Sequence, residues 1–417
     1  MAADESGFSL RTVAAAVYLP TLLFGIGEGA LIPLIPAAAS GLGATIAIAG
    51  TIAAMLKIGE LIGDIPSGVL VSRIGERTAM ILAVAVALVA AVMIMLAPNP
   101  AVLGIGVFVL GLATAVFALA RHAFMTTYVP LRYRARSLSL LGGVFRCGHF
   151  VGPLVSAPII HLTGGMAGVY WTMVVFCLSA AIVLLVLPDP EKLFRSRRKS
   201  GEPAAARARR SSGIVSTIGQ NRRVLGTVGV GAAILSALRS ARTVIIPLWA
   251  VSLGVDEAAT ALIIGLAGAV DFALFYVSGH IMDTYGRLWG ALPPLIGLGA
   301  GLAALAFTHG AATAVVWMCI AAGLLAVANG MSSGILMTLG ADLAGPRNPA
   351  PFLGAWRFVT DAGAATSPLL IAGITGAASL AVAAGSLSGI AVVGVAVMAT
   401  WLPRYIDPPH AQRSVED

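Results

Sequence analysis

A shift of 211 residues lays the second half of this chain on the first without a slip in register. Pro36 meets Pro247, Gly43 meets Gly254, Glu60 meets Asp271, Gly68 meets Gly279 and Gly75 meets Gly286. Further on, Arg136 meets Arg347, Gly143 meets Gly354 and Arg146 meets Arg357. The repeated sequence is apolar, so the fold must be assembled from two like membrane bundles. Two such halves joined by a basic linker are the layout of an alternating-access transporter.

Composition narrows the class. Hydrophobic residues make up 58% of the chain, charged residues 11%, and the mean hydropathy is +0.94. A soluble domain carries about 25% charged residues. Short alternating strands are absent from the pattern, which excludes a β-barrel and leaves an all-α polytopic membrane protein. A helix crosses the hydrocarbon in about 20 residues. Twelve are predicted, over 12–37, 44–72, 78–97, 101–127, 137–161, 167–188, 224–251, 259–282, 288–308, 312–339, 350–373 and 378–402. The organisation expected is a six-helix bundle (1–188), a basic linker (189–223), a second six-helix bundle (224–402) and a tail (403–417).

The net charge is +8. Nucleic acid is excluded as its reason by where the charge sits. Of the 26 Lys and Arg, six lie inside the predicted helices and the other twenty outside them, on one face. That face holds Arg73 and Arg77, then Arg132, Arg134 and Arg136, then the linker, then Arg287, Arg347 and Arg404. The opposite loops have no Lys or Arg, and one carries Asp256 and Glu257. The positive-inside rule makes the basic face cytoplasmic, and the even helix count puts both termini there. The linker cluster Lys192, Arg195, Arg197, Arg198, Lys199, Arg207, Arg209 and Arg210 suits contact with anionic lipid heads. Cys147, Cys177 and Cys319 stand singly in apolar sequence and read as packing residues, not as a disulfide or metal site. Residues 1–11 lack a cleavable signal pattern. Alanine-rich, lysine-poor usage is a compositional sign of a GC-rich bacterium, and the expected location is the bacterial plasma membrane.

Two motifs carry a family resemblance. The segment Gly68-Val-Leu-Val-Ser-Arg-Ile-Gly-Glu-Arg77, at the basic end of helix 2, resembles the G-x-L-x-D-R-x-G-R-R signature of the major facilitator superfamily. Its repeat partner is Gly279-His-Ile-Met-Asp-Thr-Tyr-Gly-Arg287. Gly148-His-Phe-Val-Gly-Pro153 in helix 5 resembles the G-x-x-x-G-P motif of that superfamily's proton-driven antiporters. The resemblance implies the major facilitator fold and a cytoplasmic gate built from Asp64, Gly68, Ser72, Arg73, Gly75, Arg77, Gly279, Asp283, Gly286 and Arg287. There are departures. Ser72 stands where the family has an acid, and Val107 where drug exporters carry an arginine. Physically, Gly68 is expected to admit a close helix neighbour, and Gly75 a turn with positive φ. Arg73 and Arg77 suit acidic groups or helix C-termini. Gly148, Gly152 and Pro153 are expected to soften and bend helix 5 where the halves rock.

Ionisable groups inside membrane helices are costly and usually functional. Here they are Glu28, Lys57, Glu60, Asp64, Arg121, Arg146, Arg239, Arg242, Asp271, Arg357 and Asp361. Glu28 lies roughly 24 Å into helix 1 at 1.5 Å per residue. It is expected to line a central cavity and exchange protons, or to anchor a cationic substrate. The bland alternative is a structural ion pair with an arginine across the cavity. Its repeat-mate is Arg239. Lys57 and Glu60 are spaced either for mutual pairing or for a proton relay, and Arg357 and Asp361 for pairing within their helix. Glu60, Asp271, Arg146, Arg239, Arg242, Arg357 and Asp361 join Glu28 as candidates for the cavity and proton coupling. Asp271 matches Glu60 but has no lysine at the corresponding place, so it is expected to be less compensated. His149 reads as a packed neutral imidazole. Arg239 and Arg242, one turn apart, suit a carboxylate or phosphate, or else balance Glu28 and Asp271.

No metal cluster, nucleotide loop or nucleophile constellation is present in the sequence, so an enzyme is not expected. The expectation is a monomeric secondary transporter without cofactor, driven by the proton gradient. It would export a small amphiphilic drug or metabolite by antiport through rocking of its two halves. The alternative is a lipid or glycolipid flippase of the same fold.

Overall fold

The computed structural model describes residues 17–129, 131–187, 214–344 and 349–406. Most of the linker, the side chains of Arg132, Arg134, Arg136 and Asp283, Arg347 and the tail beyond residue 406 lie outside the described residues. Among those described, twelve helices are long and apolar enough to cross a membrane. In order they are α1 (Leu19–Gly41), α2 (Ile46–Ile74), α3 (Glu76–Met95), α4 (Pro100–Tyr128), α5 (Leu131–Thr163) and α6 (Ala167–Val186). The second set is α7 (Arg222–Ser252), α8 (Glu257–Tyr285), α9 (Arg287–Thr308), α10 (Ala314–Leu343), α11 (Pro349–Ala377) and α12 (Leu380–Trp401). The expected bounds agree within four residues except at two starts: the expected start of α1 at 12 lies outside the described residues, and α5 begins six residues before 137.

The repeat is written into the backbone. Gly43 and Gly254 take φ of +80° and +68° just before α2 and α8. The repeat-mates Thr45 and Asp256 then cap those helices, accepting from the amides of Ile48 and Ala259 at 3.3 and 2.9 Å. Gly75 and Gly286 close them with φ of +85° and +95°, as the motif predicts for Gly75. Three helices are not regular. In α1, Pro33 and Pro36 flank a 3-10 turn over Ile32–Leu34. In α7, a π turn covers Leu225–Gly229. α10 breaks between Met331 and Ile335, where Gly334 takes φ +85°.

Lipid tails give no hydrophobic drive between helices, so packing rests on close approach. α1 lies on α5 and α6, and α2 on α4; in the second half α7 lies on α11 and α9 on α12. The halves meet along α5 with α8 and α2 with α11. Exposed apolar side chains such as Val89, Ile105, Trp171, Val175, Leu185 and Val392 cover the outer belt.

Contact between the halves is concentrated away from the basic end. There, Gly50 faces Leu248 and Ala372, Gly376 faces Ala47, Gly265 faces Leu154 and Gly268 faces Phe150. Toward the basic end Gly142, Gly143, Gly279 and Gly354 have open space where a Cβ would be. Gly68 meets only the tip of Leu119 at 3.9 Å, so the close neighbour expected there is not in place in this conformation. The described glycines that meet the other half therefore lie away from the basic end.

Candidate substrate and proton site

A cavity of about 130 Å³ lies between the bundles, lined from α1, α5, α7, α8 and α10. Its polar wall is Arg146, His149, Arg242, Thr243 and Asp271. Its apolar wall includes Ile32, Phe150, Ile246, Ile264 and Phe272.

Asp271 is the hub. It accepts a hydrogen bond from Arg242 Nη2 at 3.1 Å and another from Asn329 Nδ2 at 2.8 Å. Arg146 of the other bundle stands 3.6 Å away as an ion-pair partner. The expectation that Asp271 is less compensated is therefore corrected. It was drawn from the neighbours on its own helix, whereas the partners come from α5, α7 and α10. Arg146 also donates to Ser333 Oγ at 2.7 Å. Arg239 donates to Asn329 Oδ1 at 3.0 Å and reaches the Ser332 carbonyl at 3.4 Å. The break in α10 turns that carbonyl toward Arg239 and presents Ser333 to Arg146, which is how irregular backbone is tolerated at membrane depth.

Glu28 sits in a second cluster inside the first bundle. It is fully buried, and one carboxylate oxygen accepts from Thr114 Oγ1 of α4. The other oxygen has no hydrogen bond and stands 3.6 Å from His149 Nε2. His149, stacked edge-on to Phe145, connects this acid to the cavity. His149 is thus an ion-pair candidate at the cavity wall rather than only a packed ring. Arg121 is buried nearby, its guanidinium 4.0 Å from the Phe145 ring centre and 5.9 Å from that of Phe117. No arginine reaches Glu28 across the cavity among the described residues; its neighbours are all in its own bundle.

The remaining charges separate from this centre. Lys57 pairs with Glu60 at 2.6 Å and Arg357 with Asp361 at 3.2 Å, each within one helix as their spacing predicts. The Arg357 and Asp361 side chains are 56% and 39% exposed, those of Lys57 and Glu60 32% and 25%. In the gate segment Arg77 donates to the carbonyls of Leu184, Leu185 and Leu187 at the end of α6. Ser72 is spent on its own helix, donating to Val69 at 2.9 Å. Arg287 binds Asp342 at 2.8 Å.

The helix 5 motif packs closely against α1. α5 runs unbroken through Pro153. A Cβ on Gly148 would strike the backbone of Gly25 and Ile26, and one on Gly152 that of Gly29 and Ala30. Gly25 and Gly29 of α1 lie face to face with Gly148 and Gly152, a packing seam. Sequence reasoning also missed Thr114, Asn329 and Ser333. A lone Asn in the apolar run of α10 was the one available signal.

Two like six-helix bundles around a charged midplane cavity define a membrane transporter, not an enzyme. The chain belongs to the Major Facilitator Superfamily, whose sequence profile matches residues 17–368. Among curated proteins it is 25% identical over 157 residues to a probable inositol transporter 2 of Arabidopsis thaliana, covering 37% of this chain and 27% of that one. It is 24% identical over 149 residues to inositol transporter 4 of the same plant, covering 36% and 26%. The match thus spans about a quarter of those relatives' length. Among solved structures it resembles a point mutant of the nucleoside transporter NupG, with a TM-score of 0.71 at 13% identity over 94% of this chain and 100% of that one. It also resembles a D-xylose-proton symporter, with a TM-score of 0.70 at 15% identity over 94% and 96%.

Proposed function

We propose that the chain exports a small amphiphilic solute by proton antiport, with the solute in the cavity between the bundles and the proton on Glu28. The observation that carries this is the half-satisfied Glu28 carboxylate: fully buried, bonded to Thr114 on one oxygen and facing His149 with the other. A proton entering through His149 neutralises the acid and leaves Arg121 uncompensated. That change of charge is what a rocking equilibrium can respond to. The helix 5 motif supports the antiport direction.

In this reading Arg73, Arg77, Arg287 and Arg404 mark the cytoplasmic end, both termini are cytoplasmic, and the membrane is a bacterial plasma membrane. The bundles 1–188 and 224–402 are the rocking units, and the protein works as a monomer.

A second reading is proton-coupled uptake of a small hydroxylated solute. It is favoured by the curated relatives, both named inositol transporters, and by the neighbour named a D-xylose-proton symporter. Energised inside-out vesicles separate the two. Antiport predicts that an added solute triggers proton release from the vesicle lumen; cotransport moves protons in the same direction as the solute. A panel of drugs, inositol and xylose that moves protons only together with solute would overturn the antiport reading.

A further inference from the structure

We propose that Asp271 is a built-in substitute for an anionic group of the solute, and that the cavity takes a carboxylate or phosphate group between Arg146 and Arg242 in its place. This rests on the cavity being the solute site, not on the direction of proton coupling.

Three charged groups converge on the cavity wall, two arginines and one carboxylate. Arg146 comes from the first bundle; Arg242 and Asp271 come from the second. The bonding is incomplete. Arg242 gives Asp271 one nitrogen, at 3.1 Å, and its buried Nε has no acceptor. Arg146 stands 3.6 Å from Asp271, beyond hydrogen-bond reach, and Asp271 Oδ1 is buried without a hydrogen bond. A guanidinium prefers to give a carboxylate or phosphate two parallel bonds. A mobile anion can meet both forks squarely, where Asp271, fixed to its helix and to Asn329, meets one of them with a single bond.

The remainder of the wall describes the rest of the ligand. Ile32, Phe150, Ile246, Ile264 and Phe272 offer an apolar surface for a short hydrocarbon or aromatic body. The other titratable groups facing the site are His149, behind which Glu28 is buried, and Arg239, which is engaged by Asn329. Because the two arginines belong to different bundles, an anion held by both ties the halves together at mid-depth. Ligand binding is thereby linked to the position of the bundles. When no anion is present, Asp271 supplies the charge and keeps the pair of arginines from being left bare.

The test is equilibrium binding to the full chain in nanodiscs of zwitterionic lipid, with empty nanodiscs subtracted. The probes are benzoate, phenyl phosphate, benzyl alcohol and benzylamine, which share one ring and differ in charge. Wild type is expected to bind one of the two anions at least tenfold more tightly than the alcohol or the amine. Asp271→Asn keeps the shape and removes the competitor, so anion affinity should rise by about tenfold, a typical coupling between sites. Arg242→Gln should abolish the anion preference. Anions bound no better than benzyl alcohol, or an Asp271→Asn protein that folds but gains nothing, would overturn the proposal. If Asp271→Asn does not fold, the wild-type ranking and its loss in Arg242→Gln decide. Proton flux without anion preference would sink this inference alone; anion binding without proton flux would sink the antiport reading alone.

Discussion

At the scale of single residues, burial and partnership separate the acids into roles. Glu60 and Asp361 have basic neighbours within their own helices and are partly exposed. Asp271 is held by groups from three other helices. Glu28 is fully buried, bonded to its own bundle on one oxygen and unbonded on the other. Its single hydrogen bond, from Thr114, holds the carboxylate toward His149. Thr114→Val keeps the shape and deletes that bond, whose loss from a charged buried group costs roughly 1.5–3 kcal/mol. The expected result is normal folding with transport slowed more than tenfold and its pH dependence shifted, read as initial rates across pH. Unchanged rates and profile would remove Thr114 from the proton site. The acids were legible in the sequence because charge in an apolar helix stands out. Their partners were not. Thr114 and Ser333 are ordinary polar residues until the fold brings them to a charge, and Asp271 was misread because chain neighbours were the only ones visible.

At the scale of helices, glycines that look alike in sequence divide into two kinds. Those at 25, 29, 148 and 152 carry backbone-to-backbone contact between α1 and α5. Those at 143 and 354 face empty space at the basic end of the cleft. Gly152→Val forces α1 away and should cost more than the 1–3 kcal/mol of ordinary overpacking, because backbone is what it meets. A lowered melting temperature and poor yield are expected. Gly354→Val should leave the melting temperature within a few degrees of wild type yet impair transport, because α11 must close there in the opposite conformation. Equal effects on stability would contradict the division. The number and bounds of the spans were readable because the bilayer sets their length and the repeat doubles each signal. Breaks in α1 and α10 were harder. Pro33 and Pro36 are visible, but in α10 only Gly334 with its two preceding serines marks the interruption.

At the scale of the whole molecule, the glycines that meet the other half lie toward the end remote from the arginine-rich loops. Alternating access requires the touching end to open. Ala47 of α2 lies against Gly376 of α11, with 3.4 Å between the Ala47 Cβ and the position a Cβ would take on Gly376. That is close to the span of a disulfide. With Cys147, Cys177 and Cys319 replaced, Ala47→Cys with Gly376→Cys should crosslink on oxidation, stop transport and recover on reduction. Crosslinked protein that still transports would rule out rocking about this contact. The decisive measurement is solute-triggered proton movement in energised inside-out vesicles, wild type against Glu28→Gln. Proton release from the lumen is expected in wild type and none in Glu28→Gln, with the variant folded and still binding solute. Proton release of equal size and pH dependence in both would contradict a coupling role for Glu28.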